Sequence, residues 1–144
     1  MKIKIKKLRD NAILPQYQTK HSAGMDLHAA IDEPIILKPG DRAIIPTGIS
    51  IALPEGYESH IRSRSGLAAK HGIGLVNGMG TIDADYRGEY GAILINHSQE
   101  DFTVNPGDRV AQLVINKYEK VDWDLVTELD KTERGAGGYG STGK

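Results

Sequence analysis

Ten consecutive residues, Gly80-Thr81-Ile82-Asp83-Ala84-Asp85-Tyr86-Arg87-Gly88-Glu89, gather three carboxylates, one arginine and one aromatic ring between glycines. Apolar, strand-like runs flank them, Ile73 to Val76 before and Ala92 to Ile95 after, so the stretch reads as an irregular hairpin. A carboxylate on a stiff hairpin is accurately placed, which suits a general base or a metal site. The same composition also describes a solvated turn with Asp and Arg on its surface. A second candidate is Arg62-Ser63-Arg64-Ser65-Gly66-Leu67-Ala68, where arginines and hydroxyls lead into a short helix. Helix N-termini expose unpaired N–H groups, and an arginine fork matches phosphate oxygens, so this stretch can cradle a phosphate. The alternative is a helix cap beside surface arginines.

A third candidate is the tail, Arg134-Gly135-Ala136-Gly137-Gly138-Tyr139-Gly140-Ser141-Thr142-Gly143-Lys144. Gly135, Gly137 and Gly140 match a dinucleotide fingerprint formally, but that motif requires a preceding strand and a following long helix. The Walker pattern fails as well, because Ser141 stands where it needs Lys. What remains is either a flexible linker or a lid carrying a cation, a stacking ring and two hydroxyls. Asp26 in Ala23-Gly24-Met25-Asp26-Leu27 and Gln112 in an apolar run are polar side chains inside strands. Asp26 can equally face solvent, and Gln112 needs a partner if buried. The histidines at 21, 28, 60, 71 and 97 show no helical pair at zinc spacing. Trp123 reads as a packing anchor.

These groups need a scaffold, and the chain is long enough for one domain of 144 residues with a real core. Formal net charge is −1, from 18 basic and 19 acidic side chains, which argues against a dedicated nucleic-acid or membrane-surface protein. The absence of cysteine excludes disulfides and thiolate metal sites. No apolar run approaches the roughly 18 residues of a membrane helix, and the alternating N-terminus lacks a signal core, so the expectation is a soluble, cytoplasmic protein. Period-2 alternation dominates, at Ile3 and Ile5, at 22–29, at 57–63 and at 109–115. A β-branched run covers Arg42 to Leu53, and Pro-Gly-Asp-Arg occurs twice, at 39–42 and 106–109, as a turn signal. Residues 65–72 form the one convincing helical piece, with Ser65 as N-cap and Gly72 as stop. Many short strands spaced by about ten residues predict an all-β sandwich or barrel.

Five stretches occur together in one order: AGMDL at 23–27, RSGLA at 64–68, GTIDADYRGE at 80–89, PGDRVAQLV at 106–114 and RGAGGYGSTG at 134–143. The set resembles the five motifs of the trimeric deoxyuridine triphosphate nucleotidohydrolases (dUTPases) and spans nearly the whole chain. Met25 stands where that family often has Tyr, and Tyr139 where it usually has Phe. The resemblance implies an all-β, distorted jelly-roll-like barrel over 1–130, a glycine-rich C-terminal lid over 131–144, and a homotrimer with shared active sites. It implies Mg²⁺-dependent hydrolysis of dUTP to dUMP and pyrophosphate, which supplies dUMP and keeps uracil out of DNA. Carried over by residue, Asp83 would activate the attacking water and Tyr86 would pack against the deoxyribose. Asn77 and the backbone of Gly80, Thr81 and Ile82 would read uracil. Arg64, Ser65, Gly66 and Gln112 would hold phosphates, and Asp26 would act near the metal through water. Arg134, Tyr139, Ser141 and Thr142 would close from another subunit, with Arg134 neutralising charge in catalysis.

Overall fold

The computed structural model describes residues 1–139. Alternation becomes strand wherever one face can be buried. The chain runs β1 (Lys4–Lys7), β2 (Met25–His28), β3 (Ile35–Leu37), β4 (Arg42–Pro46), β5 (Ile49–Ala52) and β6 (Tyr57–Arg62). It continues through α1 (Ser65–His71), β7 (Ile73–Leu75), β8 (Met79–Ile82), β9 (Gly91–Asn96), β10 (Phe102–Val104) and β11 (Arg109–Lys117). The main sheets are β2-β11-β6-β8 and β4-β9-β7, with two-stranded ribbons β1-β5 and β10-β3, all antiparallel. Leu27, Ile61, Ala111 and Leu113 of the first sheet and Ile45, Ile73, Ala92 and Leu94 of the second belong to one buried cluster. The architecture is the expected jelly-roll-like all-β fold with one short helix.

The two Pro-Gly-Asp-Arg turns have one purpose. Gly40 and Gly107 take φ of +83° and +82°, a region that glycine enters without steric cost. Asp41 and Asp108 accept the backbone N–H of Lys38 and Asn105 at 3.1 and 2.8 Å, closing each turn. β3 and β10 pair with each other before these turns, and β4 and β11 leave after them for different sheets. The repeat therefore marks the corner where one ribbon splits into two layers.

The β-branched run from Arg42 to Leu53 forms two strands. The break is at Gly48, where φ is +70° and a Cβ would stand 2.6 Å from Ala12 Cβ and 2.9 Å from Ala30 Cβ. At this turn the chain passes from β9's partner β4 to β1's partner β5.

The helix cap is Arg64, one residue earlier than the expected Ser65. Arg64 occupies the cap in extended conformation (φ −87°, ψ 125°) without a side-chain capping bond. Its guanidinium is drawn elsewhere, to Asp26 and the Arg109 carbonyl. Gly72 ends the helix as expected, in the left-handed region at φ +64°, its N–H bonded to Ala68 O.

Among the described residues no strand or helix follows Lys117. Trp123, expected to anchor packing, is 91% exposed, and Leu125 is 98% exposed. No described helix is long and apolar enough to cross a membrane.

Candidate active site

The runs flanking 80–89 do pair, β7 with β9, in the register Ile73↔Asn96 and Leu75↔Leu94. They are not the arms of a simple hairpin, however. After Leu75 the chain turns at Gly78 (φ +69°), whose N–H bonds Leu75 O at 3.0 Å. It then enters β8, which pairs with β6 in the other sheet, Gly80 opposite Ile61 and Ile82 opposite Ser59. Residues 83–90 return to β9. The detour opens a cleft of about 330 Å³ between the sheet edges. Asn77, Gly80, Thr81, Ile82, Asp83 and Tyr86 line one side, and Ile44, Gly91 and Ile93 supply apolar floor.

The cleft is apolar with a few convergent polar groups, the usual composition of a small-molecule site. A Cβ on Gly80 would sit 3.4 Å from Asn77 Nδ2, so the Asn77 amide lies close against a bare backbone. Such an arrangement presents backbone and amide groups to a flat polar edge. Asp83 is exposed where β8 ends, and its carbonyl accepts the Tyr86 N–H at 3.2 Å, forming a turn. Arg87 Nη1 donates to the Ala84 and Tyr86 carbonyls at 2.7 and 2.9 Å, bracing that turn from behind.

Glu89 holds this wall in place. Its Oε1 accepts Arg9 Nε at 2.9 Å and the Gly48 N–H at 2.8 Å, and its Oε2 accepts Arg9 Nη2 at 3.3 Å. Around it, Thr47 Oγ1 donates to Tyr90 O at 2.6 Å and Ser50 Oγ to Arg87 O at 2.7 Å. The buried Tyr90 hydroxyl shares a 2.9 Å hydrogen bond with Ser59 Oγ, and burial pushes its phenol up from 10.0. Segment 87–90 is thus stitched to the β4–β5 corner.

The Arg9 hydrogen bond holds the Glu89 carboxyl below its ordinary 4.5, against a smaller opposing effect of burial. A depressed carboxyl adds stability that is fully present above its unfolded value and is lost as pH falls through the folded one. Glu89→Gln is therefore expected to lower the thermal midpoint at pH 7 by about 2–4 °C. It should also flatten the loss of stability below about pH 4.5, the group's ordinary value. Thermal melts from pH 3 to 7 check both; parallel curves for the two proteins would exclude this linkage.

A second cluster lies on the other side of the four-stranded sheet. Asp26 is 5% exposed, and it accepts Arg64 Nε on Oδ1 at 3.2 Å and Arg109 Nη1 on Oδ2 at 3.3 Å. A carboxylate this buried needs such partners, so it is not the solvent-facing Asp that the alternating strand also allows. Arg64 Nη1 donates to Arg109 O at 3.0 Å, which aims the guanidinium along the sheet edge. Gln112 stands directly opposite Asp26, and its Oε1 lies where a Cβ on Gly24 would be 3.4 Å away. Ser65 and Gly66 are exposed in the first turn of α1. His28, two residues along β2 from Asp26, is pushed down from 6.5 chiefly by burial, and its Nδ1 is buried without a partner among the described residues. Nothing in the sequence marks Arg109 as the second partner of Asp26, apart from its place in the repeated turn.

The described residues contain no group of three His, Cys, Asp or Glu able to cage a metal ion. Mg²⁺ needs no such cage, because it keeps waters and is commonly held by one or two carboxylates plus substrate phosphates. Asp26, with one guanidinium contact per oxygen, keeps lone pairs for a metal-bound water. The donor set fits a cation carried on a polyphosphate, not one held by the protein alone.

The cleft and the Asp26 cluster do not converge within one chain. Asp26, Gln112, Arg62 and Met79 lie in one row across four strands, and Asp83 follows four residues beyond Met79. Strand spacing and rise then separate Asp83 from Asp26 by about 20 Å. Nor do the described residues of the tail join either group. Arg134 is exposed, its Nε donating to Gly137 O at 2.9 Å, and Tyr139 is exposed at φ +50°. Ser141 and Thr142 lie outside the described residues.

A model of the dUTPase family matches residues 10–143. The chain is 57% identical to a deoxyuridine 5'-triphosphate nucleotidohydrolase of Syntrophotalea carbinolica, covering 98% of this chain and 96% of that one. It is 56% identical to the nucleotidohydrolase of Orientia tsutsugamushi, with 99% of each covered. Among solved structures, a point mutant of the Staphylococcus bacteriophage 80alpha dUTPase with dUpNHpp superposes with a TM-score of 0.91 at 28% identity, covering 99% of both chains. A mutant dUTPase from phage phi11 of S. aureus, whose structure concerns coordination of a structural Mg(II) ion, superposes at 0.81, with 28% identity over 89% of this chain and 98% of that one. With a family match over almost its whole length and a cleft built from the third motif, the chain belongs to the dUTPase family.

Proposed function

We propose that this chain hydrolyses dUTP to dUMP and pyrophosphate in a site shared between subunits of a homotrimer. The observation that carries the reading is the cleft in which Asn77, Gly80, Thr81, Ile82, Asp83 and Tyr86 meet. Asn77 and the β8 backbone read the uracil edge. A base that leaves their polar groups unpaired is rejected strongly, as cytosine would be. Tyr86 packs against the deoxyribose and leaves no room for a 2′-hydroxyl.

Asp83 takes the proton of the water that attacks the α-phosphorus. The P–O bond to the bridging oxygen breaks, and pyrophosphate leaves with the electron pair. Arg64, Ser65, Gly66 and Gln112 hold phosphate oxygens, and Asp26 keeps Arg64 aimed. Asp26 would hold a bound Mg²⁺ through a water, and the ion would supply neutralisation of phosphate charge.

The separation of about 20 Å between Asp83 and Asp26 is the physical argument for sharing. One nucleotide cannot touch both clusters of the same chain, so the phosphate cluster comes from a neighbour. Residues 131–144 act as a lid on the 1–130 barrel, with Arg134, Tyr139, Ser141 and Thr142 closing over the bound nucleotide and excluding water.

Pyrophosphate release over dUTP, dTTP, dCTP and UTP tests the activity. Release from dUTP alone is the expected result. Equal release from all four would remove the specificity reading, and ammonia from dCTP would replace it with a deaminase on the same fold.

A further inference from the structure

We propose that Gly88 is a specificity-determining positioning residue, because its missing side chain is the space in which the Tyr86 ring stands. The inference rests on the reading of Tyr86 as the residue that faces the sugar. A Cβ on Gly88 would overlap Oη and Cζ of Tyr86 and lie 2.9 Å from Cε2. Gly88 is not among the glycines with positive φ, so the position demands glycine for proximity and not for backbone conformation.

The ring is fixed on its other sides too. Its hydroxyl donates to the Glu89 carbonyl at 3.2 Å, and Glu89 is tied to Arg9 and Gly48. The Tyr90 ring stands 6.2 Å away at 44°, and its own hydroxyl bonds Ser59. Tyr90 is buried and cannot yield, whereas Tyr86 is 45% exposed and lines the cleft. A side chain at 88 can therefore be accommodated only by swinging Tyr86 about its own χ angles, which moves it along the cleft. The clashing atoms are the far end of an exposed side chain, so the ring can move without a backbone shift, at the expense of its 3.2 Å bond to the Glu89 carbonyl. The consequence falls on sugar recognition and not on stability.

The test compares Gly88→Ala, Tyr86→Ala and the double variant, reading kcat and KM for dUTP and UTP, the affinity for dUpNHpp, and the thermal midpoint. Gly88→Ala is expected to lower the dUTP-over-UTP ratio of kcat/KM by about tenfold or more, chiefly through the dUTP KM. In the Tyr86→Ala background the same substitution should change nothing further, since the obstruction is gone. A Gly88→Ala protein with the parental ratio, beside a Tyr86→Ala protein that has lost it, overturns the proposal and leaves the sugar reading standing. A parental ratio in Tyr86→Ala overturns the sugar reading and the proposal with it. Should Gly88→Ala fail to fold, a folded double variant still places the obstruction at the ring. A double variant that fails beside a folded Tyr86→Ala refutes it.

Discussion

Asp83→Asn is expected to bind dUpNHpp with parental affinity and to lose turnover by about 10²–10⁴-fold. The substitution keeps size and polarity but removes the capacity to take a proton from water. Asp83 is exposed at the end of β8, and the wall behind it is held by Arg87, Glu89 and Ser50 instead. The fold therefore does not depend on its charge, and the thermal midpoint should stay within a degree or so of the parent, as for surface changes generally. Binding and single-turnover hydrolysis measured together separate the outcomes. Near-parental turnover would remove Asp83 as the base, and lost binding would make it a contact to the nucleotide instead.

Deleting residues 134–144 should leave the β fold intact while crippling turnover. No strand or helix among the described residues follows Lys117, and the described side-chain bond of Arg134 stays within its own neighbourhood, at Gly137. If the lid closes on a neighbouring subunit, neither Asp83→Asn nor the deletion is active alone, yet their mixture is. After subunit exchange, random assortment gives about one site in four both an intact Asp83 and an intact tail. Activity should then recover towards a quarter of the parental rate. Exchange confirmed by mass, with no recovery, would place the tail on its own subunit's site. Parental activity in the deletion alone would make the tail a linker.

Much of the site is legible in the chain because its groups come in local clusters. Asp83 and Tyr86 sit three residues apart, and Arg64, Ser65 and Gly66 are contiguous, so type and spacing mark them as candidates, and only their order with three further stretches, as in the dUTPases, suggests their roles. Strands are legible where alternation meets a turn, as at both Pro-Gly-Asp-Arg corners. Several of the exceptions depend on distant partners. The run from Arg42 to Leu53 is rich in β-branched residues but is interrupted by Pro46 and Gly48, where the chain divides, with Ala12 and Ala30 crowding the turn at Gly48. β8 looks like part of a hairpin until its pairing with β6 is known. The anchor of Glu89, Arg9, lies 80 positions earlier and carries no local signal. Gly88 looks like an ordinary turn glycine, and only the orientation of one ring makes it special. Trp123 shows the converse case. An aromatic in an apolar stretch is usually buried, but this one is exposed in the single chain, in a segment that follows the last described strand.

The central position of β11 bears on how the protein is made. Synthesis proceeds from the N-terminus, and β11 is the last described strand, yet it stands between β2 and β6. Until residues 109–117 emerge, those two strands have no common partner and Asp26 lacks the Arg109 guanidinium. Such long-range pairings form slowly, because loop closure must precede the contacts that reward it. A product ending before this strand lacks the central pairing of the four-stranded sheet and one of the two guanidinium partners of Asp26. The four-stranded sheet that carries both β8 and the Asp26 cluster is therefore closed only once residue 117 has been made. A chain halted before this strand leaves the facing edges of β2 and β6 unpaired, the condition that makes partly folded chains prone to aggregation.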